Sequence, residues 1–107
     1  MRANVDKIQG LKEILELDPR NSFARYGLAM ELAGQGETDA AVSEFDTLLT
    51  NDSGYTAGYF MAAQTLASAG RTVEAVARLK SGIESASRSG NQHAAKEMRE
   101  MLEELER

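Results

Sequence analysis

Residues 23–49 read FARYGLAMELAGQGETDAAVSEFDTLL, and a related stretch, AGYFMAAQTLASAGRTVEAVARLKSGI, follows thirty-four residues later at 57–83. In each copy, two stretches with the apolar spacing of a helix flank a glycine turn. The identical pairs are Ala29/Ala63, Leu32/Leu66, Ala33/Ala67, Gly36/Gly70, Thr38/Thr72, Ala41/Ala75 and Val42/Val76. A period of this length indicates stacked pairs of helices. The sequence therefore predicts an all-α fold built from repeats.

Length and composition limit both the fold and the class of partner. With 107 residues the chain suits one domain, 1–107, in which most apolar residues are needed for the core. The formal net charge is -5, from 17 acidic and 12 basic residues, which argues against nucleic acid or an anionic membrane as partner. The chain has no cysteine, so disulfides and thiol chemistry are excluded.

The hydropathy pattern favours a soluble protein. Residues 1–10 contain no apolar run and do not resemble a signal peptide. No window approaches the roughly 20 apolar residues that a membrane-spanning helix needs. We therefore expect a cytoplasmic protein.

Apolar periodicity predicts six helices and no strand. The first, 4–17, ends before Pro19, and its apolar face comprises Val5, Ile8, Leu11, Ile14, Leu15 and Leu17. The others are predicted at 22–34, 39–50, 55–69, 73–87 and 92–105, with Val73, Val76, Leu79 and Ile83 forming the apolar face of the fifth. The expected N-caps of the second, third and fifth helices are Asn21 or Ser22, Thr38 and Thr72.

The last helix does not fit a strict 34-residue period. That spacing would place His93, Lys96, Glu97 and Glu100 at packing positions, where charged side chains are unfavourable. A two-residue insertion within 87–90 would instead present Ala95, Met98 and Leu102. We predict the insertion.

The repeat resembles the tetratricopeptide repeat (TPR) family over about residues 5–90. The family pattern is matched in the first copy by Leu28-Ala29, Leu32, Ala41 and Phe45, and in the second by Tyr59, Ala62-Ala63, Leu66, Ala75 and Leu79. Two features depart from it: Arg25 replaces the leading aromatic residue of the first copy, and Ser53 and Ser87 replace the prolines that end the repeats.

The resemblance implies a TPR-like superhelical array of six antiparallel helices in one domain. The division it implies is a half-repeat helix at 4–17, repeats at 22–54 and 55–88, and a capping helix at 91–107. It also implies a non-catalytic module that binds a peptide or helix of a partner protein in an apolar concave groove. The expected groove residues are Phe23, Tyr26, Met30, Ala57, Phe60, Gln64, Met98 and Met101. Two alternatives remain open: these side chains complete the core, or the same surface forms a homodimer.

Other functions have less support in the sequence. Binding to acidic C-terminal tails of heat-shock chaperones is not expected, because the slots for the Lys, Asn and Arg clamp of that TPR subset hold Tyr26, Met30, Ala57 and Met61. His93 is the only histidine, and no metal-ligand spacing is present. We therefore expect no catalytic residue, metal or cofactor.

Overall fold

The computed structural model describes the backbone from Ala3 to Arg107 and the side chains from Asp6 onward. This range contains six α-helices and no strand. The helices are α1 (Ala3–Leu17), α2 (Ser22–Gly34), α3 (Thr38–Asn51), α4 (Thr56–Ser68), α5 (Thr72–Arg88) and α6 (Gln92–Leu105). Each packs against the next, in an array of 39 × 29 × 18 Å. The predicted all-α, TPR-like array is confirmed, and the helix bounds differ from the predicted ones by at most one residue.

Helix starts and ends follow the local sequence except at the N-termini of α3 and α5. The Asn21 side chain caps α2 by accepting a hydrogen bond from the Ala24 N–H at 2.9 Å, as predicted. Gly36 and Gly70 have φ of 78° and 79° and end the turns after α2 and α4. The prediction that Thr38 and Thr72 are N-caps is wrong. Both lie inside their helices, whose N-caps make no side-chain hydrogen bond.

The core follows the array as three successive clusters. The first joins α1 to α2 through Leu15, Ala24 and Leu28, and the second centres on Phe45 and Leu48 of α3. The third joins α4, α5 and α6, and its largest fully buried side chains are Leu66, Leu79 and Met98. Four alanines at equivalent repeat positions are completely buried, namely Ala29, Ala41, Ala63 and Ala75. These small side chains allow the paired helices to approach closely.

At Gly82, α5 lies very close to two other helices. A Cβ atom there would lie 2.5 Å from the Sδ atom of Met98 and 2.6 Å from the Cβ atom of Tyr59. Since no side chain fits at these distances, the backbone of α5 at Gly82 packs directly against side chains of α4 and α6. This contact fixes where α6 lies relative to α4.

The register of α6 agrees with the predicted insertion. α4 begins at Thr56, thirty-four residues after Ser22, whereas α6 begins at Gln92, thirty-six residues after Thr56. Ala95 and Met98 are buried and Leu102 is partly buried. The four polar positions of the strict period, His93, Lys96, Glu97 and Glu100, are exposed.

Three residues assigned to apolar helix faces are exposed. Leu17 is 91% exposed, and Ile14 and Val73 are also largely accessible. α1 packs only against α2, so one flank of its apolar face meets no other described helix. The side chain of Val5 lies outside the described residues. No described helix is long and apolar enough to cross a bilayer.

Candidate functional site

A continuous groove runs between α2, α4 and α6. It consists of three cavities: a central one of about 230 Å³, one of about 390 Å³ between α2 and α4, and one of about 460 Å³ between α4 and α6. Each pair of these cavities shares at least one lining residue. Met61 joins the first two, Phe60 and Glu97 join the central cavity to the third, and Gln64 joins the outer pair. We call this surface the groove.

The central cavity is aromatic and apolar. Its lining comprises Tyr26, Thr56, Ala57, Phe60, Met61, Ala94, Glu97 and Met98. The Tyr26 ring meets the Phe45 ring edge-on at a centroid distance of 6.2 Å and lies 5.4 Å from the Tyr55 ring. Burial, and to a smaller extent Tyr55, raises the pKa of the Tyr26 phenol above its ordinary value. Tyr26 and Phe60 are each half-buried, so each ring contacts the core while also lining the groove.

Seven of the eight residues predicted for the groove line these cavities. Tyr26, Ala57, Phe60 and Met98 line the central one, Met30 and Gln64 line the cavity toward α2, and Met101 lines the cavity toward α6. Phe23 lines none of them and is 80% exposed. Met98 is only 1% exposed and belongs mainly to the core, which agrees with the alternative that some of these side chains complete the core. Whether these residues bind a partner stays a prediction.

The sequence interpretation missed three groove residues that carry charge. Glu97, Glu100 and Glu104 line the cavity between α4 and α6. A signal was present for two of them, because Glu97 lies four residues before Met101 and Glu104 three residues after it, on the same helix face. None of the three belongs to the eight residues expected in the groove.

Of the residues that the structure describes, these three glutamates are the only charged ones that line the groove. Among the described residues, no Lys or Arg lines any of its three cavities. Glu97 approaches the His93 imidazole at 3.5 Å, a pair that is ionic only when the histidine is protonated. Glu100 and Glu104 form no ion pair with any described side chain. The α6 wall of the groove is therefore negatively charged, and no described lysine or arginine forms an ion pair with its glutamates.

A second depression lies between α3 and α5, and it differs from the groove because its acidic side chains are paired with arginines. Its volume is about 490 Å³, and each charged side chain that lines it belongs to an ion pair. Arg71 pairs with Asp39 and Glu74, and Arg78 pairs with Asp46 at 2.8 Å. The hydrogen bond from Arg71 lowers the pKa of Glu74 below its usual value. Because the Arg71–Asp39 and Arg78–Asp46 pairs link one repeat to the next, we attribute the depression to packing between repeats.

The described residues hold no group of three or more His, Asp or Glu side chains arranged to bind a metal ion. The groove itself offers apolar surface, hydroxyl and amide groups and carboxylates. Such a surface can hold a polypeptide segment by contact and hydrogen bonding.

The stacked helix pairs, the 34-residue register and the open groove define an α-helical repeat protein. A TPR repeat-containing protein of Pseudomonas aeruginosa is 27% identical over 100 residues, which cover 94% of this chain and 95% of that protein. The solution structure of a TPR domain protein from Salinibacter ruber has a TM-score of 0.76 at 28% identity, covering 83% of this chain and 90% of that one. No family model matches the sequence. The resemblance to TPR proteins is confirmed: the sequence and the fold of this chain are similar to those of small TPR proteins.

The same fold occurs in SycD, a type III secretion translocator chaperone of Yersinia enterocolitica. Two crystal structures of SycD have TM-scores of 0.84 and 0.85 at 21% identity. Each covers 97% of this chain, which matches 72% and 80% of the two SycD chains. The second is described as an alternative dimer. At 21% sequence identity, the similarity to SycD shows a shared fold and nothing about function.

Proposed function

We propose that this chain is a protein-interaction module whose groove binds an apolar segment of a partner protein. The observation that carries the proposal is the aromatic cavity at the centre of the groove, where Tyr26, Phe60 and Met61 are only partly buried. A chain of 107 residues needs most of its apolar surface for its own core. Apolar surface that remains open in such a small protein is typical of an interaction site.

The residue types in the groove suit a polypeptide ligand. Methionine side chains are flexible and polarisable, so Met30, Met61 and Met101 can adapt to anchors of different shape. Aromatic rings such as Tyr26 and Phe60 bury a large area and are enriched among residues that dominate binding energy. SycD, by its description, is a chaperone of translocator proteins, which lends support from the fold to a protein as ligand.

In this proposal the array divides into a half-repeat helix (4–17), two repeats (22–54 and 55–88) and a capping helix (91–107). The first helices of the two repeats and the capping helix then form the groove. The second helices of the repeats form the other layer, which holds the ion pairs between repeats.

Homodimerisation through the same surface is the alternative function. The dimer described for SycD favours it. The charge of the groove argues against it, because a symmetric dimer brings the same surface of both copies together. Two copies meeting groove to groove would place two rows of glutamates near each other, and like charges oppose association. Sedimentation equilibrium across micromolar to millimolar concentration tests this alternative, and a dimer abolished by Ala57→Trp would establish it.

Peptide selection with two matched variants tests the proposal. Ala57 is exposed and lines the central cavity, so Ala57→Trp fills that cavity without removing a core side chain. Ala40, exposed near the start of α3 and outside the groove, provides the control Ala40→Trp. Twelve-residue peptides enriched from a phage library on the unmodified protein should bind it and Ala40→Trp equally, and Ala57→Trp at least tenfold more weakly. Enriched peptides that bind both variants alike would contradict the proposal.

A further inference from the structure

We propose that the segment held in the groove is basic, with Lys or Arg side chains beside an apolar anchor. This inference rests on the proposed function, because it specifies the ligand of the same groove. Three observations carry it: the position of the carboxylates, the absence of a compensating charge, and the distribution of the basic residues elsewhere.

The carboxylates form a row along one wall of the groove. Glu97, Glu100 and Glu104 are separated by three and four residues on α6, so they lie on the same helix face. Glu97 lines both the central aromatic cavity and the cavity next to it, whereas Glu100 and Glu104 line only the latter. The row therefore begins at the apolar anchor site and continues away from it along α6.

No described lysine or arginine forms an ion pair with this row. Like charges at these spacings destabilise a helix, and a charged row along a groove raises the local concentration of cations. The Glu97 side chain is 56% exposed, so it can reach a ligand without losing an existing partner other than His93. A cationic ligand would remove the repulsion and supply charge-assisted hydrogen bonds.

The described basic residues lie outside the groove. Arg25 pairs with Glu44, and Arg71 and Arg78 pair with acidic residues between α3 and α5. Lys96 and Arg99 belong to α6 but do not line the groove. Every acidic residue of the α3–α5 depression is therefore paired, whereas the acidic residues of the groove face solvent.

The spacing of the row defines the ligand further. Helix rise places Glu97 and Glu104 about 10 Å apart along α6, the length of about three residues of an extended chain or seven of a helix. We therefore expect a large apolar residue in the central cavity, followed within that length by two or three basic residues. Binding should also weaken steeply with salt, because exposed charges are screened.

Three phage libraries test the inference. They share a fixed Leu or Phe anchor in twelve-residue peptides, and their flanking positions are restricted to Lys and Arg, to Asp and Glu, or to Ser, Asn and Gln. We expect enrichment of the basic library, with binding of its peptides at least tenfold weaker in 300 mM than in 50 mM NaCl.

Two triple variants with the same change in net charge separate the groove from the rest of the surface. Glu97→Gln/Glu100→Gln/Glu104→Gln should bind the basic peptides at least tenfold more weakly. The control Glu16→Gln/Glu103→Gln/Glu106→Gln changes exposed residues outside the groove and should bind them as the unmodified protein does. Reversal of the row to lysine should shift enrichment to the acidic library.

The possible failures are distinguishable. If the neutral library is enriched, or if the groove triple variant keeps full affinity for basic peptides, the groove binds apolar segments without regard to charge and only this inference falls. If no library yields peptides sensitive to Ala57→Trp, the proposed function falls as well.

Discussion

The Ser85 hydroxyl donates a hydrogen bond to the main-chain carbonyl of Ser53 at 2.7 Å, across thirty-two residues of sequence. The Tyr59 hydroxyl donates to the same oxygen at 2.8 Å. Ser53 lies in the turn between α3 and α4, at a position where the TPR pattern places proline. The two hydroxyls therefore connect α4 and α5 to the turn that joins the two repeats.

Loss of the Ser85 hydroxyl should destabilise the protein. Ser85 is only 5% exposed, so Ser85→Ala removes a buried hydrogen bond while Tyr59 still satisfies the carbonyl. We expect a loss of about 1 kcal/mol in the free energy of unfolding, measured by urea denaturation. Ser85→Ala combined with Tyr59→Phe should lose more than the sum of the single variants, because the carbonyl then has no side-chain donor. Strict additivity would show that the two bonds act independently.

The backbone contact at Gly82 should tolerate no side chain. In Gly82→Ala the new methyl group would overlap Tyr59 and Met98, and only the methionine can move aside easily. We expect a loss of about 1–3 kcal/mol, the usual cost of overpacking. Gly34→Ala is the matched control, since a Cβ atom at the end of α2 meets nothing within 4 Å. Thermal unfolding should show Gly34→Ala unchanged or slightly stabilised, and equal effects at both sites would refute the close contact.

Truncation of two phenylalanines in the first repeat should change the stability of the protein by very different amounts. Phe45 is fully buried in the second core cluster, and Phe45→Ala should cost about 3–5 kcal/mol. Phe23 is 80% exposed and outside the groove, so Phe23→Ala should change stability by less than about 0.5 kcal/mol. Peptide binding should also survive Phe23→Ala. Weaker binding by a stable Phe23→Ala protein would extend the site beyond the groove as we define it.

Titration of Tyr26 should report on the groove. Burial raises the pKa of this phenol in the folded state above the ordinary value of 10.0. The stability that this shift contributes is present below the ordinary value and is lost as pH rises through the raised one. Absorbance near 295 nm should therefore show one phenol titrating late, and Tyr26→Phe should remove that component. A bound peptide should raise the pKa further; no change on binding would indicate that the ligand leaves Tyr26 uncovered.

Much of the fold could be predicted because its determinants are local or periodic. The apolar spacing in residues 23–49 and its repetition specify helix pairs, and Pro19 and the glycine turns mark their ends. The shift in α6 was also predictable, because charged residues at packing positions are physically excluded and Ala95 and Met98 offered an alternative.

The site was harder to predict because it depends on which surfaces stay open. Periodicity identifies one face of a helix, but it does not show where the neighbouring helix stops. Hence Met98 is core while Met101 lines the groove, and Leu17 is exposed although it lies on an apolar stripe. The charge of the groove likewise emerges only when α4 and α6 are placed side by side and Arg25, Arg71 and Arg78 are seen to pair elsewhere.

The dependence of α6 on a single neighbour has a kinetic consequence. In a linear stack each helix is held by the ones beside it, and α6 packs chiefly against α5. A terminal element of this kind opens at lower free energy than the whole protein unfolds, so its amides should exchange with solvent before those of α4 and α5. The α2 and α4 side of the groove then stays folded while the α6 side opens transiently. A bound partner that contacts both sides would slow the amide exchange of α6. The rate at which α6 opens would set an upper limit on how fast a tightly enclosed ligand can leave.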